Sequence, residues 1–158
     1  MAIQLIAVGK MKEGFFREAV SEYAKRLSRF CKITETEVAD ERDPGLLSPQ
    51  LSGKVLQKEG ARLLERVSSS DYVIALTPAG QQFTSEEFAA KVSDWHDRSL
   101  PLCFVIGGSL GLSREVLDRA DMTMSLSRMT FPHQLARVIL MEQLYRAYKI
   151  RSGERYHK

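Results

Sequence analysis

The residues with chemical potential sit in the last third of the chain. Gly107 and Gly108 close a continuous apolar run, Leu102-Cys103-Phe104-Val105-Ile106, and lead through Ser109, Leu110 and Gly111 to Leu112-Ser113. An unbroken apolar run of this length predicts a strand buried on both faces. Glycines at its carboxyl end can bring backbone N–H and C=O groups up to a ligand with no β-carbon in the way. A second such end follows at Leu126-Ser127-Arg128-Met129-Thr130-Phe131, before Pro132-His133, and Leu76-Thr77-Pro78 supplies a third. Three strand ends offering apolar side chains and free backbone groups suit a flat purine read along its edge. His133, just inside a helix begun by Pro132, has two readings. It is a capping or packing imidazole, or it joins Arg137 in an anion site at the helix start. The end of the chain sets Lys149, Arg151, Arg155 and Lys158 around Tyr156 and His157. That pattern is either a frayed charged terminus or an RNA contact, with cations for phosphate and a ring for an unstacked base.

Spacing excludes several other chemistries. Gly107 to Gly111 lacks the GxGxxG spacing of a dinucleotide turn and falls late in the chain, and no GxxxxGK[ST] phosphate loop occurs. Cys31 and Cys103 form no CxxC pair, and neither His133 nor His96 has a second histidine or cysteine at ligand spacing, so no metal is expected. Cys103 belongs to a strand pattern and reads as packing. Unpaired cysteines fit a reducing, cytoplasmic setting. The apolar run from Ile3 to Val8 is too short for a signal core or a membrane span, so no membrane association is expected. The net charge of +3 over 158 residues is mild. A nucleic-acid partner must therefore be met by a local patch rather than a basic body.

The elements that must position these groups follow from periodicity. Ile3 to Val8 is the first strand. A helix after Gly14 carries Phe15, Phe16, Ala19, Val20, Tyr23, Ala24, Leu27 and Phe30 at three- and four-residue spacing. Lys32 to Val38 alternates like a more exposed strand. Residues 40–52, with Pro44, Gly45 and Pro49, read as a long irregular and mobile loop before a helix over 54–67. Tyr72 to Leu76 is a buried strand ended by Thr77-Pro78-Ala79-Gly80. Thr84 with Glu87 has capping-box spacing and opens a helix through Trp95. The buried strand at 102–106, a helix from Arg114 capped by Ser113, a strand at 122–126 and a last helix from Pro132 to about Arg151 complete the chain. Strands alternating with helices define an α/β domain with a mostly parallel sheet, here one domain over residues 1–158.

On the last helix, Glu142, Arg146 and Lys149 fall on one narrow stripe at 100° per residue. Leu140, Leu144 and Ala147 lie opposite, with Met141, Tyr145 and Tyr148 between them. The apolar arc exceeds what one sheet face covers. A second subunit is the simpler cover; a central helix in a small monomer is the other.

The combination of motifs resembles one family over essentially the whole chain. Those motifs are Ile106-Gly107-Gly108 with Gly111-Leu112-Ser113, Leu126-Ser127-x-Met129-Thr130-Phe131-Pro132-His133, Arg137-Val138, Glu142-Gln143-Leu144-Tyr145-Arg146-Ala147 and the final Tyr156-His157. Gln4-Leu5-Ile6-Ala7-Val8-Gly9-Lys10 and Lys58-Glu59-Gly60 extend the match. Together they resemble the small SPOUT-class methyltransferases that act on N3 of a pseudouridine in large-subunit ribosomal RNA. The resemblance implies an α/β trefoil knot near the carboxyl-terminal half, which general topology rules would not suggest. It implies S-adenosyl-L-methionine held by Leu76, Gly107, Gly108, Leu126, Ser127, Arg128, Met129, Thr130 and Phe131. It also implies a homodimer acting on helix 69 of 23S rRNA within the assembled 70S ribosome. For catalysis, His133 and His157 are the candidate bases, with Tyr156 beside His157, and Arg137 and Arg155 are candidates to hold phosphates. A non-catalytic ribosome-binding protein with a vestigial nucleotide pocket, or a flavodoxin-like oxidoreductase, are the rival readings.

Overall fold

Five strands form one sheet in which every pairing is parallel, in the order β2-β1-β4-β3-β5. They are β1 (Ala2–Val8), β2 (Lys32–Val38), β3 (Tyr72–Gln81), β4 (Leu102–Ile106) and β5 (Met122–Met124). Between and after them run α1 (Gly14–Leu27), α2 (Pro49–Leu64), α3 (Ser85–Asp97), α4 (Arg114–Arg119) and α5 (His133–Arg151). The computed structural model describes residues 1–42 and 48–156.

The period-two alternation of each strand sorts side chains onto two faces. Ile3, Leu5, Ala7, Ile74, Phe104 and Ile106 pack with Val20, Leu27, Phe88, Val92, Trp95, Leu140 and Leu144, so α1, α5 and α3 cover one face. Ile6, Val8, Val38, Val73, Cys103 and Val105 pack with Leu63 and Val116, so α2 and α4 cover the other. All five residues of β4 are buried, which accounts for its unbroken apolar sequence at the centre of the sheet. Two caps fall where their residue types put them. Thr84 and Glu87 form the reciprocal capping box of α3, and the Ser113 hydroxyl accepts the Val116 N–H at the start of α4.

Three expectations need correction. First, α2 begins at Pro49, capped by the Ser48 hydroxyl accepting the Leu51 N–H at 3.4 Å, and ends at Leu64. Ser48-Pro49 is a cap followed by a first-turn proline, a signal masked by the glycine- and proline-rich stretch around it. Of the irregular loop expected over 40–52, residues 43–47 lie outside the described residues. Second, β3 does not stop at Leu76. Its register shifts, Leu76 and Gln81 both pair with Met124, and the chain between them bulges outward around Pro78.

Third, the wide apolar arc of α5 is covered within the chain. The helix lies between α1 and α3, and Leu140, Met141, Leu144, Ala147 and Tyr148 are each at most 2% exposed. Rings supplied by the same chain complete that cover: Phe30 stacks on Tyr148 at 5.3 Å, and Tyr23 meets Tyr145 at 6.3 Å. Lys149, expected on a solvent stripe, is buried and pairs with Glu154.

Candidate functional site

The carboxyl ends of β3 and β4, the loops after β4 and β5, and the first turn of α5 enclose a cavity of about 740 Å³. Its walls are Leu76, Thr77 and Pro78 from β3, residues 106–112 after β4, the loop carrying Leu126, Ser127, Met129, Thr130 and Phe131, and His133 with Ala136. Crevices at the carboxyl ends of parallel strands gather free backbone groups that no ladder consumes, which is why ligands settle there.

The turn after β4 is built from bare backbone. The Gly111 N–H donates to the Gly108 carbonyl at 3.1 Å, and Gly111 has a φ of +87°. A β-carbon on Gly107 would lie 2.6 Å from the Gly111 carbonyl carbon, and closer still to its oxygen. On Gly108 it would lie 2.9 Å from Glu59 Oε2 and 3.1 Å from Val8 Cγ1. The two glycines therefore close the turn and seat it on α2 and β1. A packing reason for glycine thus stands beside the expected clearance for a ligand, and both residues line the cavity. Glu59, buried behind the turn, accepts the Glu41 N–H through Oε1 at 3.0 Å and leaves Oε2 without a partner. Burial raises its pKa, and the carboxylates of Asp40 and Glu41 push the same way.

Serine hydroxyls shape the loop after β5. Ser125 donates to the Ser127 carbonyl at 2.8 Å, and the Ser127 hydroxyl accepts the Met129 N–H at 3.0 Å. Leu126, Ser127 and Phe131 are partly buried in this loop and line the cavity, as do the exposed Met129 and Thr130. Arg128 is exposed and does not line the cavity, contrary to its expected place among the cofactor residues.

His133 does reach the cavity. Its ring lies over Gly9, so close that a β-carbon there would sit 3.1 Å from Nε2, and Nε2 is buried without a partner. Burial lowers the pKa of His133 below 6.5, and the Arg137 cation lowers it further, so the imidazole is neutral at pH 7. Arg137 is placed differently from the expectation that it binds phosphate. Its side chain has no exposure, and its guanidinium donates to Glu35 Oε1 at 2.9 Å, Glu37 Oε1 at 2.7 Å, and the carbonyls of Val8 and Gly9. Those donors are spent on tying α5 to the ends of β1 and β2, which fixes His133 over Gly9.

Among the described residues, the end of the chain through Tyr156 does not line the cavity. The Tyr156 hydroxyl donates to Glu142 at 3.2 Å, its ring meets Tyr145 edge-on at 4.9 Å, and Arg146 lies over it at 4.9 Å. Glu142 and Arg146 stand six and ten residues beyond Ala136 on α5, about 9–15 Å along the helix at 1.5 Å per residue. Burial raises the Tyr156 phenol to about 12. Arg155 is exposed, and His157 lies outside the described residues. Among the described residues no group of three or more His, Cys, Asp or Glu could hold a metal ion, and no helix is long and apolar enough to cross a membrane.

A parallel sheet with its site at the strand ends, formed by a glycine turn and a serine-shaped loop, agrees with a family match over residues 1–157, to the model described as "Predicted SPOUT methyltransferase". The chain belongs to the SPOUT methyltransferase family. Its full-length relatives are more specific in name. Proteins named ribosomal RNA large subunit methyltransferase H are 51% identical in Bifidobacterium animalis subsp. lactis, 52% in Bifidobacterium adolescentis and 49% in Clostridioides difficile, each covering 100% of both chains.

Proposed function

We propose that this chain methylates large-subunit ribosomal RNA with S-adenosyl-L-methionine, at N3 of a pseudouridine in helix 69 of 23S rRNA within the assembled 70S ribosome. The cavity at the three strand ends carries this reading, together with the name shared by relatives of full length. The remaining parts of the reading are a cytoplasmic location, a single catalytic domain and the family's trefoil knot near the carboxyl-terminal half. The loops after β4 and β5 meet at the cavity, where a knotted chain would thread.

The residues present fit the cofactor. At about 740 Å³ the cavity has the size of a small-molecule site. Leu76, Leu112, Leu126 and Phe131 offer apolar walls for a purine face, and the backbone of Gly107, Gly108, Ser127, Met129 and Thr130 offers donors and acceptors for its edge and for the ribose. When bound, the cofactor supplies an electrophilic methyl group on a sulfonium. The protein must align the target nitrogen with that methyl and remove the N3 proton, because the neutral imide nitrogen is a poor nucleophile. Alignment alone can supply several kcal/mol of the barrier lowering, on the order of 7–11 kcal/mol at best. His133 is neutral near pH 7 and so already in its base form. Nε2 faces Gly9 and is buried, so Nδ1 is the nitrogen assigned to take the proton, a general-base contribution of about 10²–10⁴-fold. Arg137 acts one step back, as the residue that holds His133 and the β1 end in place.

A homodimer completes the site. The support is no longer the buried arc of α5. It is Tyr156, anchored well up α5 from its own cavity, and the apolar surface still open on α5 and α1. Leu135 and Ile139 are partly exposed on α5, and Phe15 is 63% exposed at the start of α1. In this arrangement Tyr156, His157 and Arg155 serve the partner's cavity. Calorimetry with S-adenosylmethionine tests the first step: one-site binding is expected, lost on Phe131→Asp with the fold retained. Absence of binding to the wild-type chain would favour a non-catalytic ribosome-binding protein.

A further inference from the structure

The loop between β1 and α1 is held far more firmly than an ordinary surface connection. The Gly9 N–H donates to the Val38 carbonyl at 2.9 Å, and the Met11 N–H to Glu37 Oε1 at 2.7 Å. One Arg17 nitrogen donates to the carbonyls of both Met11 and Lys12 at 2.8 Å, the Glu13 N–H donates to Gln134 Oε1 at 3.2 Å, and Arg137 donates to the Gly9 carbonyl. Met11 is buried beneath the loop. Lys10 and Lys12, its two neighbours, are exposed, and neither makes an ion pair among the described residues. Most arginines elsewhere are neutralised, for example Arg62 by Glu41 and Arg119 by Asp121, but among the described lysines only Lys149 makes an ion pair, so it is the place of Lys10 and Lys12 and not their lack of a partner that sets them apart. The acids nearest the loop leave the two lysines uncompensated, since Glu37 is taken by Arg137 and by the Met11 N–H. Asp40 and Glu13 pair with neither lysine.

The position of these two cations matters. Gly9 touches His133, Gln134 caps the loop from α5, and the Lys12 charge is felt at the His133 ring. The loop therefore packs against His133, which is itself cavity wall, with its backbone fixed and two exposed lysines on it. A chain of such mild net charge must concentrate its nucleic-acid attraction in a patch of this kind. We propose that Lys10 and Lys12 hold backbone phosphates of the RNA strand that delivers its base to the cavity, which makes this loop a positioning element for the substrate. The inference rests on the RNA methyltransferase reading of that same site.

The test uses the full chain, ribosomes lacking the modification, and methyl transfer measured against monovalent salt at fixed magnesium. One phosphate contact contributes a salt exponent of about 0.7–0.9, so two contribute on the order of tenfold in affinity at physiological salt. Lys10→Gln with Lys12→Gln is expected to raise KM for ribosomes about tenfold and to flatten the plot of log KM against log salt by about 1.4–1.8. Its kcat, melting temperature and cofactor affinity should stay at the wild-type values. Arginine at both positions should restore KM. A control pair on remote surfaces, Lys25→Gln with Lys91→Gln, should change none of these. Unchanged KM and slope in the loop variant would overturn the proposal, as would an equal effect in the control pair or a loss confined to kcat. A wild-type chain that methylates no ribosomes would instead remove the reading on which the proposal rests.

Discussion

Replacing Gly107 with alanine is the sharpest single perturbation of the site. The added β-carbon would stand 2.6 Å from the Gly111 carbonyl carbon and closer to its oxygen, whereas ordinary contact begins near 3.4 Å, so the turn must open by more than about 0.8 Å. The obstructing atoms are backbone, held by the Gly111-to-Gly108 hydrogen bond and by β4 in the sheet centre, so no side-chain rotation can relieve the clash. Forced overpacking of this kind costs about 1–3 kcal/mol. For a chain of this size that lowers Tm by about 2–12 °C. The displaced backbone is itself cavity wall, so cofactor affinity should fall by at least about tenfold, or roughly 1.4 kcal/mol. Gly108→Ala is the internal comparison. Its β-carbon meets the tip of Glu59, which can shift, and a methyl of buried Val8 at 3.1 Å, so about 1 kcal/mol, the low end for overpacking, is expected. Scanning calorimetry gives the stability ranking and titration calorimetry the affinity ranking. If Gly107→Ala keeps both wild-type values, or if Gly108→Ala proves the more harmful, the turn is not closed in the way described.

Arg137→Met should lower stability by about 2–3 kcal/mol, near the low end for a broken buried ion pair, because Glu35 and Glu37 keep 27% and 34% exposure; chemical denaturation measures it, and a loss of ribosome affinity without a stability change would return Arg137 to phosphate binding. For His133 the sign follows from its depressed pKa. Between that value and 6.5 the unfolded chain binds more protons, so stability and the base form are both lost as pH falls. His133→Gln should reduce kcat by about 10²–10⁴-fold and abolish the acidic limb of the pH profile, and a persisting limb would assign the base elsewhere. Phe15→Glu with Ile139→Glu should give a folded monomer by light scattering, whereas Leu144→Glu should simply unfold a chain in which Leu144 is 1% exposed. Deleting residues 155–158 should leave cofactor binding intact and abolish methylation, and a mixed dimer with a Phe131→Asp subunit should regain one working site. No recovery would place the tail in its own subunit's site.

The sheet was legible because burial writes itself as composition: β4 is apolar throughout since helices cover both of its faces, and β2, at the edge, alternates. The glycine turn and the loop from Leu126 to Phe131 were legible as strand ends for the same reason. What sequence could not show was the use of polar groups at a distance. Arg137 looked like an anion ligand beside His133, but its partners Glu35 and Glu37 are about a hundred positions away in sequence and reach it only through strand order. The arc of α5 suggested a partner subunit because periodicity counts apolar faces but not how many neighbours are present; α1, α3 and the sheet sufficed. Lys10 and Lys12 carry no motif, and their meaning depends on the hydrogen bonds that fix the loop and on the carboxylates that are elsewhere engaged.

One measurement bears most directly on the central claim. The chain is incubated with ribosomes lacking the modification and S-adenosylmethionine carrying a labelled methyl group, and the labelled RNA is digested and mapped. Label is expected in large-subunit RNA, at N3 of a pseudouridine in helix 69, on assembled 70S particles and not on free RNA. Binding of the cofactor with no label in RNA, or label on small-subunit RNA or on another base, would contradict it.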